Sequence, residues 1–88
     1  MRPVISWMTK SDPAILSLLD EAELDLPPAV IAHNIEGVSH PTVNRRLPVL
    51  LEHDLVEKVD ERKGYYAISD RGRAYLAGEL DAEDLEEE

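Results

Sequence analysis

The chain has 88 residues, no cysteine, 43% apolar residues and a formal net charge of −10 at pH 7. That length makes one small domain with a modest core, for which oligomerisation is an ordinary source of added stability. The missing cysteine excludes disulfide staples, thiolate zinc sites and cysteine nucleophiles.

No apolar run approaches the roughly 20 residues that span a bilayer. The opening MRPVISWMTKSDP lacks the apolar centre of a signal peptide. Both point to a soluble, cytoplasmic protein. Taken whole, an acidic chain argues against binding nucleic acid, but the charge is unevenly placed. Residues 79–88 hold seven acids and no base, and residues 1–36 hold six acids and two bases. Residues 37–78 hold seven bases and six acids. The acid is therefore concentrated away from the middle of the chain.

A first helix is predicted over Pro13 to Glu23. Asp12 is a candidate N-cap with Pro13 at the first helical position, and Thr9 with Asp12 has the spacing of a capping box one turn earlier. Ile15, Leu18, Leu19 and Ala22 make its apolar stripe. Trp7, just ahead of it, is expected to pack on the chain's own core, with a dimer contact as the other use of such a residue. Leu24-Asp25-Leu26 alternates like a short edge strand. Pro27-Pro28 ends it, and Pro28 opens a second helix to Asn34 with Val30, Ile31 and Ile35 turned inward. Glu36-Gly37-Val38 reads as a short turn.

SHPTVNRRLPVLLEHD, residues 39–54, follows as an amphipathic helix. Val43, Leu47, Leu50 and Leu51 recur at helical spacing. Pro41, Thr42, Asn44, Arg45 and Glu52 fall on the opposite side, with Arg46 on the flank. Ser39 is its N-cap, and Pro41 is tolerated where first-turn N–H groups lack intrahelical partners. Pro48 should bend this helix rather than stop it, because Val49, Leu50 and Leu51 continue the stripe. Asp54 is expected to close it in the left-handed conformation, with Leu55 folding back.

Val56 to Asp60 and Tyr65 to Ser69 read as a β-hairpin around Glu61-Arg62-Lys63-Gly64, with Tyr66 and Ile68 on the buried face. A last helix is predicted from Ser69 to about Leu80, with Tyr75 and Leu76 against the core and Gly72 allowing close approach to the sheet. Two helices joined by a short turn, the second exposing polar groups, form a helix-turn-helix. Residues 81–88 are acidic and expected to be a disordered tail beyond a domain of residues 1–80.

In VNRRLPVLLEHDLVEKVDERKGYYAISDRGRAYLAGEL the order recognition helix, hairpin, helix resembles the winged helix-turn-helix domain. Together with WMT before the first helix and PAVIAHNI in the second, the chain resembles, over residues 5–81, the haloarchaeal phage phi-H repressor-like family. Where that family most often has glycine after the recognition helix, this chain has Asp54. The resemblance implies an α+β winged-helix fold and a sequence-specific transcription regulator, a repressor, bound to double-stranded DNA as a homodimer. Carried over by position, His40, Pro41, Thr42, Asn44 and Arg45 face the groove, Arg46 reaches a phosphate, and Arg62 and Lys63 form the wing tip.

A protein-interaction adaptor built on the same fold is the alternative, and the strongly acidic composition suits it. No enzyme is read. His33, His40 and His53 lack the one-face spacing of a helical metal site, Ser39 is explained as a cap, and no cofactor, metal or small-molecule site is evident.

Overall fold

A computed structural model describes residues 5–60, 64–80 and 82–86. Its elements are α1 (Ser11–Ala22), α2 (Pro28–His33), α3 (His40–Glu52), β1 (Val56–Asp60), β2 (Tyr65–Ile68), α4 (Asp70–Leu76) and α5 (Ala82–Glu86). The three-helix unit followed by a hairpin and a helix is the α+β winged helix expected from the sequence. The expected wing-tip residues Arg62 and Lys63 lie outside the described residues.

α1 begins two residues earlier than its Asp12-capped reading. Asp12 lies inside the helix, and its carboxylate accepts the backbone N–H of Thr9 at 3.0 Å, in the manner of a capping-box third residue. Ile15, Leu16 and Leu19 are its buried apolar side chains, while Leu18 is only partly covered. In α2, Ile31 alone is buried. Val30, expected inside, is 38% exposed, because a six-residue helix turns too small a face inward. Asn34 closes α2 by donating its side-chain N–H to the Val30 carbonyl at 2.8 Å. The turn that follows spans Asn34 to Ser39 and contains Gly37 at φ 84°.

α3 runs through Pro48 without ending. Val43, Leu47 and Leu50 are at most 1% exposed, each worth about 1.5–3 kcal/mol relative to leaving it in water. Asp54 takes φ 62°, as expected. The N–H of Leu55 returns to the Leu50 carbonyl at 2.9 Å and that of Asp54 to Leu51 at 3.0 Å, the paired bonds of a Schellman ending. Leu55 is fully buried.

β1 and β2 pair antiparallel, Val56 opposite Ile68 and Lys58 opposite Tyr66, with the register shifting between Lys58 and Asp60. Val56, Tyr66 and Ile68 close the core from this side. The expected Leu24–Leu26 strand is reduced to one bridge. Leu26 exchanges two backbone hydrogen bonds with Tyr66 at 2.8 and 2.9 Å and covers the free edge of β2.

Ser69 caps α4 through its hydroxyl, which accepts the Gly72 N–H at 3.0 Å. α4 stops at Leu76, short of the expected Leu80. Gly78 adopts φ 77°, and the Glu79 N–H turns back to the Ala74 carbonyl, so the backbone ends the helix there. The segment expected to be a disordered tail contains α5. Its Leu85 is 1% exposed, the Leu85 carbonyl accepts the Trp7 indole N–H at 2.8 Å, and the Asp84 carbonyl accepts from Arg71 at 2.6 Å. One apolar side chain and two backbone acceptors anchor a run whose composition is otherwise that of a solvated tail.

Candidate nucleic-acid interface

The buried stripe of α3 fixes what its other face shows. His40, Pro41, Asn44 and Arg45 are exposed, and Thr42 is half-buried beside them. Each of the five groove-facing residues expected from the sequence therefore lies on one accessible surface at the amino end of the helix. Ser39 holds that end. Its hydroxyl oxygen accepts the Thr42 N–H at 3.3 Å and lies 3.0 Å from the Thr42 hydroxyl, which in turn accepts from the Arg45 guanidinium at 3.3 Å. Ser39, Thr42 and Arg45 thus make a ladder at intervals of three along the helix, and the Arg45 side chain leans toward the amino end. Among the described residues the Asn44 amide has no side-chain partner, so both its donor and its acceptor face solvent. An exposed amide and an exposed guanidinium on one helix face can each make two hydrogen bonds to a base edge, Asn to adenine and Arg to guanine.

Arg46 departs from the expectation. Rather than reaching outward for a phosphate, it turns back onto α1. Its Nε and Nη2 donate to the two carboxylate oxygens of Asp12 at 2.9 and 2.8 Å, and Nη2 also donates to the Trp7 carbonyl at 3.2 Å. Asp12 is wholly buried and the Arg46 side chain is 18% exposed. A carboxylate inside a small core is tolerable only when paired and hydrogen-bonded, and Arg46 is the cation that pairs it. The hydrogen bond with Asp12 raises the Arg46 pKa above its ordinary value, partial burial opposes the rise, and the charge of Asp12 adds to it. Arg46 is cationic throughout any working pH range.

The remaining cations sort in the same way. Arg71 donates to the carbonyls of His53 and Asp84, and Arg73 pairs with Asp20 at 3.5 Å and Asp70 at 3.2 Å. Among the described residues, Lys10, Arg45 and Lys58 have no carboxylate partner. Lys58 stands on β1 with its Nζ 5.9 Å from the centre of the Tyr66 ring. This lysine is a candidate wing cation that the sequence reading passed over. The signal was available, since Lys58 shares the face of Val56 by strand alternation but lies outward of it along the hairpin.

The histidines do not converge. His33 and His40 are exposed, whereas His53 is stacked on Trp7 with ring centres 3.9 Å apart and an 8° angle between planes. Trp7 packs on its own chain, the first of its two expected uses. Among the described residues no three His, Asp or Glu side chains come together as metal ligands, and no helix is long and apolar enough to cross a membrane.

A family model described as the winged helix-turn-helix phage repressor matches residues 1–88. The chain belongs to that family. It is similar to the repressor protein of Halobacterium phage phiH, with 40% identity over 84 residues and 93% of each chain covered. The crystal structure of the PhiH1 repressor-like protein from Haloarcula marismortui superposes with a TM-score of 0.80 at 38% identity, covering 93% of this chain and 91% of that one. Membership accords with the order of elements and with the amphipathic α3 of this winged helix-turn-helix repressor relative.

Proposed function

We propose that this protein is a sequence-specific repressor that binds double-stranded DNA, with α3 in the major groove and the wing on the backbone. The observation that carries this reading is the amino-terminal face of α3. Asn44 and Arg45 stand exposed above a stripe buried to 1% or less, and the side chains a groove-reading helix uses are the ones it presents. The family, and a relative named a repressor that matches nearly end to end, support the same reading. The groove-facing set is His40, Pro41, Thr42, Asn44 and Arg45, and the wing set is Arg62, Lys63 and Lys58. Arg46 leaves the contact set.

The protein acts as a cytoplasmic regulator and not as an enzyme. It binds as a homodimer that sets two recognition helices about 34 Å apart in successive major grooves. The acid-rich surface and the Halobacterium phage and Haloarcula relatives suit work at high salt. There the release of counterions from phosphates drives binding weakly, and base contacts carry more of the affinity.

The test uses duplexes enriched from a randomised pool by the purified protein, titrated against unselected duplexes by fluorescence anisotropy in high salt. The enriched sequence should bind at least about a thousandfold more tightly, and light scattering of the complex should give two protomers per site. Equal affinity for both duplexes would refute a sequence-reading function.

A further inference from the structure

The pair made by Asp12 and Arg46 does more than neutralise a buried acid. Arg46 is the middle residue of α3, between the exposed Arg45 and the buried Leu47. Its guanidinium engages both oxygens of a carboxylate in the first turn of α1, and that carboxylate also accepts the Thr9 N–H. The Trp7 carbonyl takes a further N–H from the same guanidinium, while the Trp7 ring stacks on His53, the residue that caps the far end of α3. The segment from Trp7 to Asp12 therefore holds α3 at its middle and at its end. No buried polar side-chain atom among the described residues is left without a partner.

Apolar packing is non-directional and tolerates small rotations of a helix. A two-pronged guanidinium–carboxylate contact does not, because both N–H bonds must keep their lines. Side-chain surfaces lie about 5–6 Å from a helix axis, so a rotation of about 10° carries them about 1 Å. A recognition site needs placement to about 0.5 Å. We propose that Arg46 is a positioning residue, which through Asp12 and Trp7 fixes the rotation of α3 about its own axis and so aims Asn44 and Arg45, without touching DNA itself. This rests on the DNA-binding reading above for its consequence, but not for its geometry.

The test replaces the pair by apolar residues, Asp12→Leu with Arg46→Met, since such an exchange commonly leaves a fold intact. The expected result is a loss of discrimination between enriched and unselected duplexes of at least about tenfold, the worth of one good base contact. Affinity for unselected duplex and the slope of log affinity on log salt should not change. Residual dipolar couplings of the DNA-free protein should show α3 turned, or averaged over several rotations, relative to α1. If the double variant does not fold, Arg46→Lys, which keeps the charge but not the two-pronged contact, takes the same measurements with the same expectations.

A uniform weakening toward all duplexes, with the salt slope reduced in magnitude by about one, would make Arg46 a phosphate contact and overturn the proposal. So would unchanged discrimination with an unchanged α3 orientation. If the unaltered protein does not discriminate between duplexes, the proposed function fails on its own, and the couplings still decide whether Arg46 aims the helix.

Discussion

Gly72→Ala tests how tightly the helix after the wing is seated on the end of the recognition helix. Gly72 lies in the first turn of α4 in ordinary helical backbone, so a methyl group is a question of space alone. That methyl would overlap the carbonyl oxygen of Leu55 and lie 2.7 Å from Cγ1 of Ile68. The Leu55 carbonyl cannot swing aside, because it accepts the Ser69 N–H at 3.2 Å and belongs to the turn that closes α3. Two effects oppose each other. Alanine gains up to about 1 kcal/mol of helix propensity over glycine, and less in a first turn. Overpacking a filled site costs about 1–3 kcal/mol, and an obstructing backbone atom puts this site at the upper end. The balance is a loss of about 2 kcal/mol, from a total of roughly 4–13 kcal/mol for a chain of this length. The thermal midpoint should fall by about 8–16 °C, read by circular dichroism at fixed salt and protein concentration. An unchanged or raised midpoint would show that α4 does not press on Leu55 as described.

Arg45→Ala should weaken binding to the enriched duplex by about 1–3 kcal/mol and relax preference at one base position, read by competition with single-position variants; a loss spread over every sequence contradicts the groove placement. Lys58→Ala, like Arg62→Ala and Lys63→Ala, should weaken enriched and unselected duplexes alike and reduce the salt slope by about one, and an effect confined to one sequence would remove it from the backbone set. Truncation after Leu80 removes Leu85 from the core, about 1.5–3 kcal/mol, together with the acceptor for Trp7, about 1 kcal/mol more. The melting midpoint should drop by roughly 10 °C or more, and a neutral truncation would mean that the acidic segment adds no stability.

The faces of α3 were legible because helical periodicity separates Val43, Leu47 and Leu50 from Asn44 and Arg45 without reference to the rest of the chain. The hairpin and the caps at Ser39, Ser69 and Asp54 were legible for the same reason, since each is settled within a few residues. Gly78 was as readable as these, being a glycine just past a periodic segment, and giving it weight would have placed the end of α4 correctly. The partner of Arg46 was not legible. Its position on the flank of α3 was evident, but Asp12 lies 34 positions away, and only the packing of α1 on α3 brings the two together. α5 was hidden differently. Composition assigned residues 81–88 to solvent, whereas Leu85 and two carbonyls decide the outcome by meeting Trp7 and Arg71. Val30 shows the opposite failure, an apolar residue on a helix too short to cover it.

The fate of the cations bears on how an acidic protein can bind a polyanion. Between residues 37 and 78 there are seven bases. Arg46, Arg71 and Arg73 are drawn into contacts with Asp12, with backbone carbonyls, and with Asp20 and Asp70. Of the others, Arg45 and Lys58 have no carboxylate partner among the described residues, and Arg62 and Lys63 lie outside the described residues. Even if all four neutralised phosphates, each protomer would contribute a salt slope of only about −4, and any of them used on a base edge lowers that further. Long-range attraction is thus a minor part of the affinity available to this surface, and it weakens as salt rises. What salt does not weaken is fit, which in the proposed complex is the line of Asn44 and Arg45 relative to the duplex and so depends on where α3 is held. On the proposed reading, the guanidinium that Arg46 commits to Asp12 gives up one phosphate contact, and in exchange it would fix the direction of the contacts that distinguish one sequence from another.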